Sequence, residues 1–363
     1  MCKLNCQTIF IPGEGINSEE EMVQSKSTLS DVAKLAKVSI KTASRVVRKE
    51  PRVSSKTRAA VEEAVKTLNY RPSVAPRAAV GSRSYVIALI FDNPNSDYIV
   101  ELLRGALEQS RKEGYHLIVE PVDLASSTIT EDINNLLVQS NLDGMILPPP
   151  LCDEPLILQA LTSADKPFAR ISPSISLDVG LRVEINDYDA ARQMTMKLIE
   201  LGHTSIAYVA GRKGTATTRR RLEGFLSAMS DASLSVPDNF ILEGNFEYRL
   251  ALDAGEELLK QSQRPTAIFA SNDEMAAGLI AAAHKSGLSV PDDLSIAGFD
   301  DSMVASIVWP LLTTVRQPIK QMAASAVEML IAQCRNQIND GDDEKIRELP
   351  IEVIMRGSTM SKQ

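Results

Sequence analysis

The side chains best suited to chemistry fall into four groups. The first is the segment "SIKTASRVV" (39–47), which sets Lys41 and Arg45 beside the hydroxyls of Thr42 and Ser44, with Ile40 ahead of them. Cationic and hydroxyl donors spaced along one short helix suit the phosphates and base edges of a duplex, and Ile40 suits a thymine methyl. The second group consists of polar residues that close apolar runs: Asp92 and Asn93, Ser172, Asn272, and Asp300 with Asp301. Their planar or forked hydrogen-bonding groups suit a hydroxyl-rich ligand. The third is "GTATTRRRLEGF" (214–225). One of its arginines, aimed into a cleft, needs a ligand or carboxylate partner, while the other two belong on a solvated helix face. The fourth is Phe246, placed either to stack on the apolar face of a sugar or to fill a core.

Catalysis has little to stand on. His116, His203 and His284 are far apart and contain no HExxH. Cys2, Cys6, Cys152 and Cys334 show no metal-ligand spacing beyond the loose Cys2/Cys6 pair, and read as reduced cytosolic thiols. No GxGxxG follows a strand, and neither GxxxxGK[ST] nor GxSxG is present; "GRKGT" (211–215) lacks phosphate-loop spacing. Asp300 and Asp301 could form an acid/base pair or a Mg²⁺ site, but a ligand-contacting Asp beside a structural one is the preferred reading. No catalytic residue, metal site or cofactor is expected. No apolar run approaches the roughly 20 residues that span a bilayer, and no basic region precedes an apolar core at the N-terminus. The expectation is a cytoplasmic protein with no membrane partner.

The elements that must position these groups divide the chain by charge. Lys26 to Arg83 holds 14 Lys/Arg against 4 Asp/Glu, a formal +10, while the remainder of this −8 chain carries −18. A cationic module joined to an anionic body points to a polyanion as the partner of the module. Residues 28–70 predict three helices. Thr28 caps the first, with Asp31 as reciprocal partner, and Leu29, Val32, Ala33 and Ala36 share a face. Ser39 caps a second helix, Ile40–Val47, which turns Ala43, Val46 and Val47 inward. Ser54 caps a third, striped by Val61, Ala64, Val65 and Leu68. Two short helices, a tight turn and a longer brace make a helix-turn-helix, whose second helix enters the major groove by its N-terminal end. The hydroxyls of Thr28, Ser39 and Thr57 stand near helix N-termini, where a phosphate is favoured and where capping is the competing use.

From Tyr85 onward short β runs alternate with helical stretches. "YVIALIF" (85–91), "HLIVEPV" (116–122), "GMILPP" (144–149), "FARIS" (168–172) and "LRVEIN" (181–186) read as one set of strands. "SIAYVAG" (205–211), "FILEG" (240–244), "AIFAS" (267–271) and "LSIAGFD" (294–300) read as a second. Repeated βα units predict two α/β subdomains of doubly wound parallel sheet, with ligands beyond the strand C-termini and a cleft between the halves.

"TLSDVAKLAKVSIKTASRVV…VSSKTRAAVEEAVKTLNYRPS" closely resembles the DNA-binding domain of the lactose/galactose repressor (LacI/GalR) family of bacterial transcriptional regulators. "RRRLEGF", "AIFASNDEMAAG", "VPDDLSIAGFDDS" and "LTTVRQP" resemble the effector-binding core that this family shares with periplasmic sugar-binding proteins. The resemblance implies base-reading roles for Ile40, Lys41 and Arg45, and an exit to a hinge at Tyr70 and Pro72. It implies effector contacts at Arg221, Asn272, Asp300, Phe246 and Ser172, with Asp92 and Asn93 closing the first strand. The chain departs from the family in the turn, in the hinge and at "DNPN" (92–95), where the difference from the best-known sugar repressors bars transfer of ligand identity. Lys37 stands where the turn usually has Gly, at a left-handed cost of about 1 kcal/mol. In the hinge, Ala79 replaces the Leu that wedges into the minor groove, and Pro76 falls in the first turns, so strong kinking of DNA is not expected.

The expected layout is a tail or upstream start over 1–25, a helix-turn-helix over 26–71, a hinge over 72–84 and a core over 85–363. The core's first subdomain would span about 85–185 plus 313–345, and its second about 186–312 plus 350–363. The expected function is a ligand-responsive repressor of sugar-utilisation genes that binds double-stranded operator DNA as a homodimer and is released by a sugar or oligosaccharide. The absence of a heptad tail after "IEVIMRGST" (351–359) argues for dimers over tetramers. The rivals are a periplasmic sugar-binding protein and a sugar-metabolising enzyme with a helical appendage.

Overall fold

The structure, a computed structural model, describes residues 29–47, 53–68, 83–93, 96–337 and 343–362. Thr28, Tyr70, Pro72, the hinge positions Pro76 and Ala79, and the first 25 residues lie outside the described residues. The chain divides into two units, before and after residue 76.

The first unit holds α1 (Leu29–Leu35), α2 (Ile40–Val47) and α3 (Ser55–Thr67). Val32, Ala33, Ala43, Val46, Val61 and Ala64 are buried together, with Ala36, Val38, Val47, Val53, Val65 and Leu68 packed around them. The turn after α1 runs through Lys37 at φ 52°. The Val38 N–H donates to Ala33 O (3.0 Å) and the Lys37 N–H to Lys34 O (3.2 Å). That pair of bonds closes the helix and requires a left-handed residue at the position Lys37 fills.

The second unit contains two lobes. In chain order, the first lobe begins with β1 (Val86–Phe91), α4 (Ser96–Glu113), β2 (His116–Pro121), α5 (Ile129–Gln139) and β3 (Gly144–Leu147). It continues with α6 (Pro155–Ser163), β4 (Phe168–Ile171) and β5 (Leu181–Glu184). The chain then builds α7 (Asp187–Glu200), β6 (Ile206–Ala210), α8 (Ala216–Asp231), β7 (Ile241–Glu243), α9 (Tyr248–Leu259) and β8 (Ala267–Ala270). After these come α10 (Asp273–Lys285), β9 (Ser295–Asp300), α11 (Met303–Ile307), β10 (Thr313–Arg316), α12 (Ile319–Cys334), β11 (Ile346–Glu348) and β12 (Glu352–Ile354). The first sheet has the order β11-β5-β4-β3-β1-β2, with every pairing parallel. The second has the order β12-β10-β9-β8-β6-β7, parallel except at β12. Apolar strands such as β3 and β8, buried on both faces, are what parallel sheets under two helical layers require.

One expected boundary is corrected. Thr313–Arg316 does not join the first lobe; it is a strand of the second sheet, parallel to β9. Its threonines disguise it as polar, yet both are buried and bonded. Thr314 Oγ1 donates to Asp273 Oδ1 (2.5 Å), and Thr313 Oγ1 shares a hydrogen bond with Thr359 Oγ1 (2.7 Å). The first lobe resumes with α12, which packs on α4 and on β3, β4 and β5, and extends past 345 to β11. The chain therefore crosses between lobes at 185–187, 317–318 and 349–351. Among the described residues no helix is long and apolar enough to cross a membrane.

Candidate functional site

In the first unit, α2 turns Ala43 and Val46 into the core, and this leaves Ile40 (51% exposed), Lys41 and Arg45 on the surface, with Thr42 and Ser44 half-buried. No acidic residue stands in its first turn. The Thr42 N–H donates to Ser39 Oγ (3.1 Å), and the two hydroxyls bond each other at 2.8 Å. Ser54 and Thr57 repeat the arrangement on α3 at 3.2 and 2.8 Å. These hydroxyls cap their helices while Lys41 and Arg45 keep their cations on the exposed face.

In the second unit, one cleft is lined by all seven residues expected to contact an effector: Asp92, Asn93, Ser172, Arg221, Phe246, Asn272 and Asp300. Asp92 and Asn93 follow β1 and Ser172 follows β4, on the first lobe. Phe246 follows β7, Asn272 follows β8 and Asp300 ends β9, on the second. The backbone is strained here. Ser172 (φ 50°), Asn245 (54°), Phe246 (64°) and Asp300 (118°) are all left-handed without being glycine, a cost the surrounding fold must sustain. The tip of the Phe246 ring lies against Gly211: a Cβ there would fall 2.0 Å from Phe246 Cζ.

Arg221 anchors the cleft floor. Its side chain is only 4% exposed, its Nε donates to Asp187 Oδ1 (2.8 Å), and its Nη1 donates to Ser271 O (2.6 Å). Asp300 Oδ1 stands 3.9 Å from Nη1, and the guanidinium carbon lies 3.5 Å from the centre of the Phe299 ring. Burial pushes the Asp300 carboxyl up to about 7, against the opposing pull of Arg221 and the Gln317 amide that donates to it at 2.6 Å. Asp273, buried behind it, is also held well above the usual range by desolvation and then by Asp300. Asn272 has a structural duty as well: its Oδ1 accepts from the Met275 N–H (2.9 Å) and caps α10, and its Nδ2 donates to Phe246 O (3.3 Å). Asp301 is bound by Arg316 (2.7 Å) and Arg356 (2.6 Å), which occupies the carboxylate that an acid/base pair or a cation would need. Of the other two arginines, Arg219 is exposed and pairs with Glu223 at 3.7 Å.

The profile for bacterial regulatory proteins of the lacI family matches residues 28–73, and that for the periplasmic binding protein-like domain matches 195–359. The chain is 34% identical over 339 residues to the HTH-type transcriptional regulator DegA of Bacillus subtilis (strain 168), covering 92% of this chain and 98% of that one. It belongs to the lacI family. Within that family it is also 33% identical over 310 residues to the ribose operon repressor of Escherichia coli (strain K12), covering 84% and 92% of the two chains. The lac repressor dimer bound to operator and the anti-inducer ONPF superposes with a TM-score of 0.81 at 27% identity, over 93% of this chain and 100% of that one. A transcriptional regulator CelR–cellobiose complex gives 0.69 at 27%, over 92% and 99%.

Several residues at or beneath the cleft of this lacI-family chain escaped sequence reasoning, Asp187, Gln317 and Tyr98 among them. Asp187 opens α7, where an acid reads as ordinary helix-start chemistry. Gln317 lies in a crossover, and Tyr98, whose phenol burial raises strongly, projects from α4. None closes an apolar run, so no spacing marks it. The resemblance pointed to Arg221, but only the fold reveals the Asp187 carboxylate that holds it.

Proposed function

We propose that this lacI-family regulator is a homodimeric, ligand-responsive repressor acting on operator DNA in the cytoplasm. Two copies of the cationic unit read the half-sites of a pseudo-palindrome. Lys41 and Arg45 donate to base edges and phosphates, and Ile40 meets a thymine methyl. A sugar bound between the lobes changes their relative angle and releases the operator; coupling being reciprocal, operator binding weakens the sugar equally. The observation that carries the reading is the gathering of Asp92, Asn93, Ser172, Arg221, Phe246, Asn272 and Asp300 around one cleft. The ribose operon repressor among its relatives, and the cellobiose held by a structural neighbour, support a sugar as the ligand. Self-association has a suitable surface: Met303 (63% exposed), Ile307 (70%), Trp309 (80%) and Leu311 form an apolar stretch on and after α11.

The test is selection of duplexes from a random library by the full chain. It should return a pseudo-palindrome whose affinity falls with salt. Arg45→Ala should lose about 1–3 kcal/mol of discrimination at its base step. An Arg45→Ala protein that selects the wild-type sequence with equal stringency refutes the assignment.

A further inference from the structure

The cleft is not a single chamber. A second cavity adjoins the one just described, and the two share Pro149, Pro150, Ser172, Arg212, Thr215 and Thr217 as a common wall. The inner chamber ends on Phe246, Asn272, Asp300 and Arg221. The outer one is bounded by Leu124, Asp153, Glu154, Lys213 and Ala216, none of which reaches the inner space. The six shared wall residues make the two one continuous space that runs from Phe246 to Leu124. Apolar surfaces recur along it, with Phe246 at the inner end, the Pro149–Pro150 pair at the junction and Leu124 at the outer end. Between them stand the hydroxyl and amide groups of Ser172, Thr215, Thr217 and Asn245.

The charges along this space are already engaged. Arg212 pairs with Asp92 at 3.8 Å, and Lys213 pairs with Glu243. Asp153 accepts from Arg170 Nη2 at 2.9 Å and from Ser174 Oγ at 2.5 Å. The Glu154 carboxylate accepts from the Leu156 N–H at 3.2 Å and caps α6. Inside, Arg221 is held by Asp187 and Asp300 by Gln317. In the inner chamber a phosphate would compete with Asp187 for Arg221 and meet the Asp300 carboxylate, an expensive exchange where Arg221 and Asp187 are 4% and 2% exposed. A neutral ring with several hydroxyls needs no such exchange.

We propose that the effector is an uncharged sugar two rings long, with one ring against Phe246 in the inner chamber and the other against Leu124 and the Pro149–Pro150 wall in the outer. The proposal rests on the reading of the cleft as the effector site. Isothermal titration of the full chain tests it, with cellobiose, maltose and trehalose as the disaccharides, glucose and ribose as single rings, and glucose 6-phosphate as the anionic probe. At least one disaccharide should bind about ten-fold or more tighter than either single ring. Leu124→Trp, which fills only the outer chamber, should weaken that disaccharide by about ten-fold and leave glucose within about two-fold. Lys213→Trp, on the exposed opposite wall, provides the same test should the first variant fold poorly. Tightest binding by a single ring, lost in Phe246→Ala but untouched by either tryptophan, overturns the two-ring proposal and leaves the cleft reading standing. Tightest binding by glucose 6-phosphate overturns the neutral-ligand argument. Silence from every sugar in the panel overturns both, while operator selection separately decides whether the chain is a regulator.

Discussion

Replacing Arg221 by Met tests how the cleft is held together. The family resemblance implies an effector contact for this arginine, and the structure makes it the counter-ion of Asp187, which is 1% exposed, and the neighbour of Asp300, 6% exposed. Met fills most of the volume and keeps contact with the Phe299 ring, so the main loss is electrostatic. Removing one partner of a buried pair costs about 3–5 kcal/mol because the other charge is left without compensation, out of a total of about 5–15 kcal/mol for a domain. Asp300 relieves its share by taking up a proton. Its folded carboxyl already sits at about 7, above its ordinary value of 3.8, so the folded state binds the extra proton between those values. Stability from this group is therefore present at low pH and falls as pH rises through that window. Without the Arg221 cation its carboxyl moves higher still, and the decline should extend above pH 7. Urea titration followed by circular dichroism should show Arg221→Met losing about 3–5 kcal/mol at pH 7.5 and less at pH 5.5. Adding Asp187→Asn should restore about half of the loss or more, since the stranded charge is gone. A loss under about 1 kcal/mol, or an Asp187→Asn change that deepens it, refutes the reasoning.

Three further outcomes are expected. Gly211→Ala places a Cβ 2.0 Å from Phe246 Cζ, so the ring must leave its seat; sugar affinity measured by titration should drop by about ten-fold, with about 1–3 kcal/mol lost from stability. Lys37→Gly removes a left-handed side chain at φ 52° and should stabilise the DNA-binding unit by roughly 0.5–1 kcal/mol, read from amide exchange of α1 and α2 in the full chain. Trp309 is the chain's one tryptophan and lies on the apolar stretch after α11, so its emission should shift to the blue as protein concentration rises through the dimerisation range, and Ile307→Asp should abolish the shift.

What the sequence disclosed follows from which residues carry unambiguous physics. α2 has the boundaries that periodicity predicts, and Ser39 and Ser54 cap where short hydroxyl side chains should. Strands β1, β3, β4, β6, β8 and β9 announce themselves as apolar runs because parallel strands inside a sheet are buried on both faces, whereas the edge strands β2 and β7 are legible from short apolar runs although partly exposed. The last three strands do not. β11 and β12 are three-residue edges with exposed positions, and β10 buries threonines whose partners, Asp273 and Thr359, are distant in sequence. The strand-end rule found the residues that close apolar runs, and it had no purchase on Asp187, Gln317 or Tyr98, which reach the cleft from a helix start, a crossover and a helix face.

Those omissions bear on how the cleft senses its ligand. Of the three crossovers between lobes, two carry a side chain that grips the cleft floor. Asp187, beginning the first crossover's helix, holds Arg221, and Gln317 in the second holds Asp300. The third crossover is tied to the end of β5, just before the first, by the Leu349 N–H, which donates to Glu184 O at 2.9 Å. A ligand that takes hydrogen bonds from Arg221 or Asp300 competes for acceptors and donors whose other ends are fixed to the segments about which the lobes turn. On the proposed lobe rotation, the free energy of binding acts at the pivots, where a small change in side-chain partners would alter the angle between the two sheets. A contact at the cleft rim, such as Arg212 with Asp92, bridges the lobes without touching a pivot. Asp187→Asn and Gln317→Ala should therefore change how strongly sugar and operator oppose each other, whereas Asp92→Asn should change sugar affinity and leave that opposition intact.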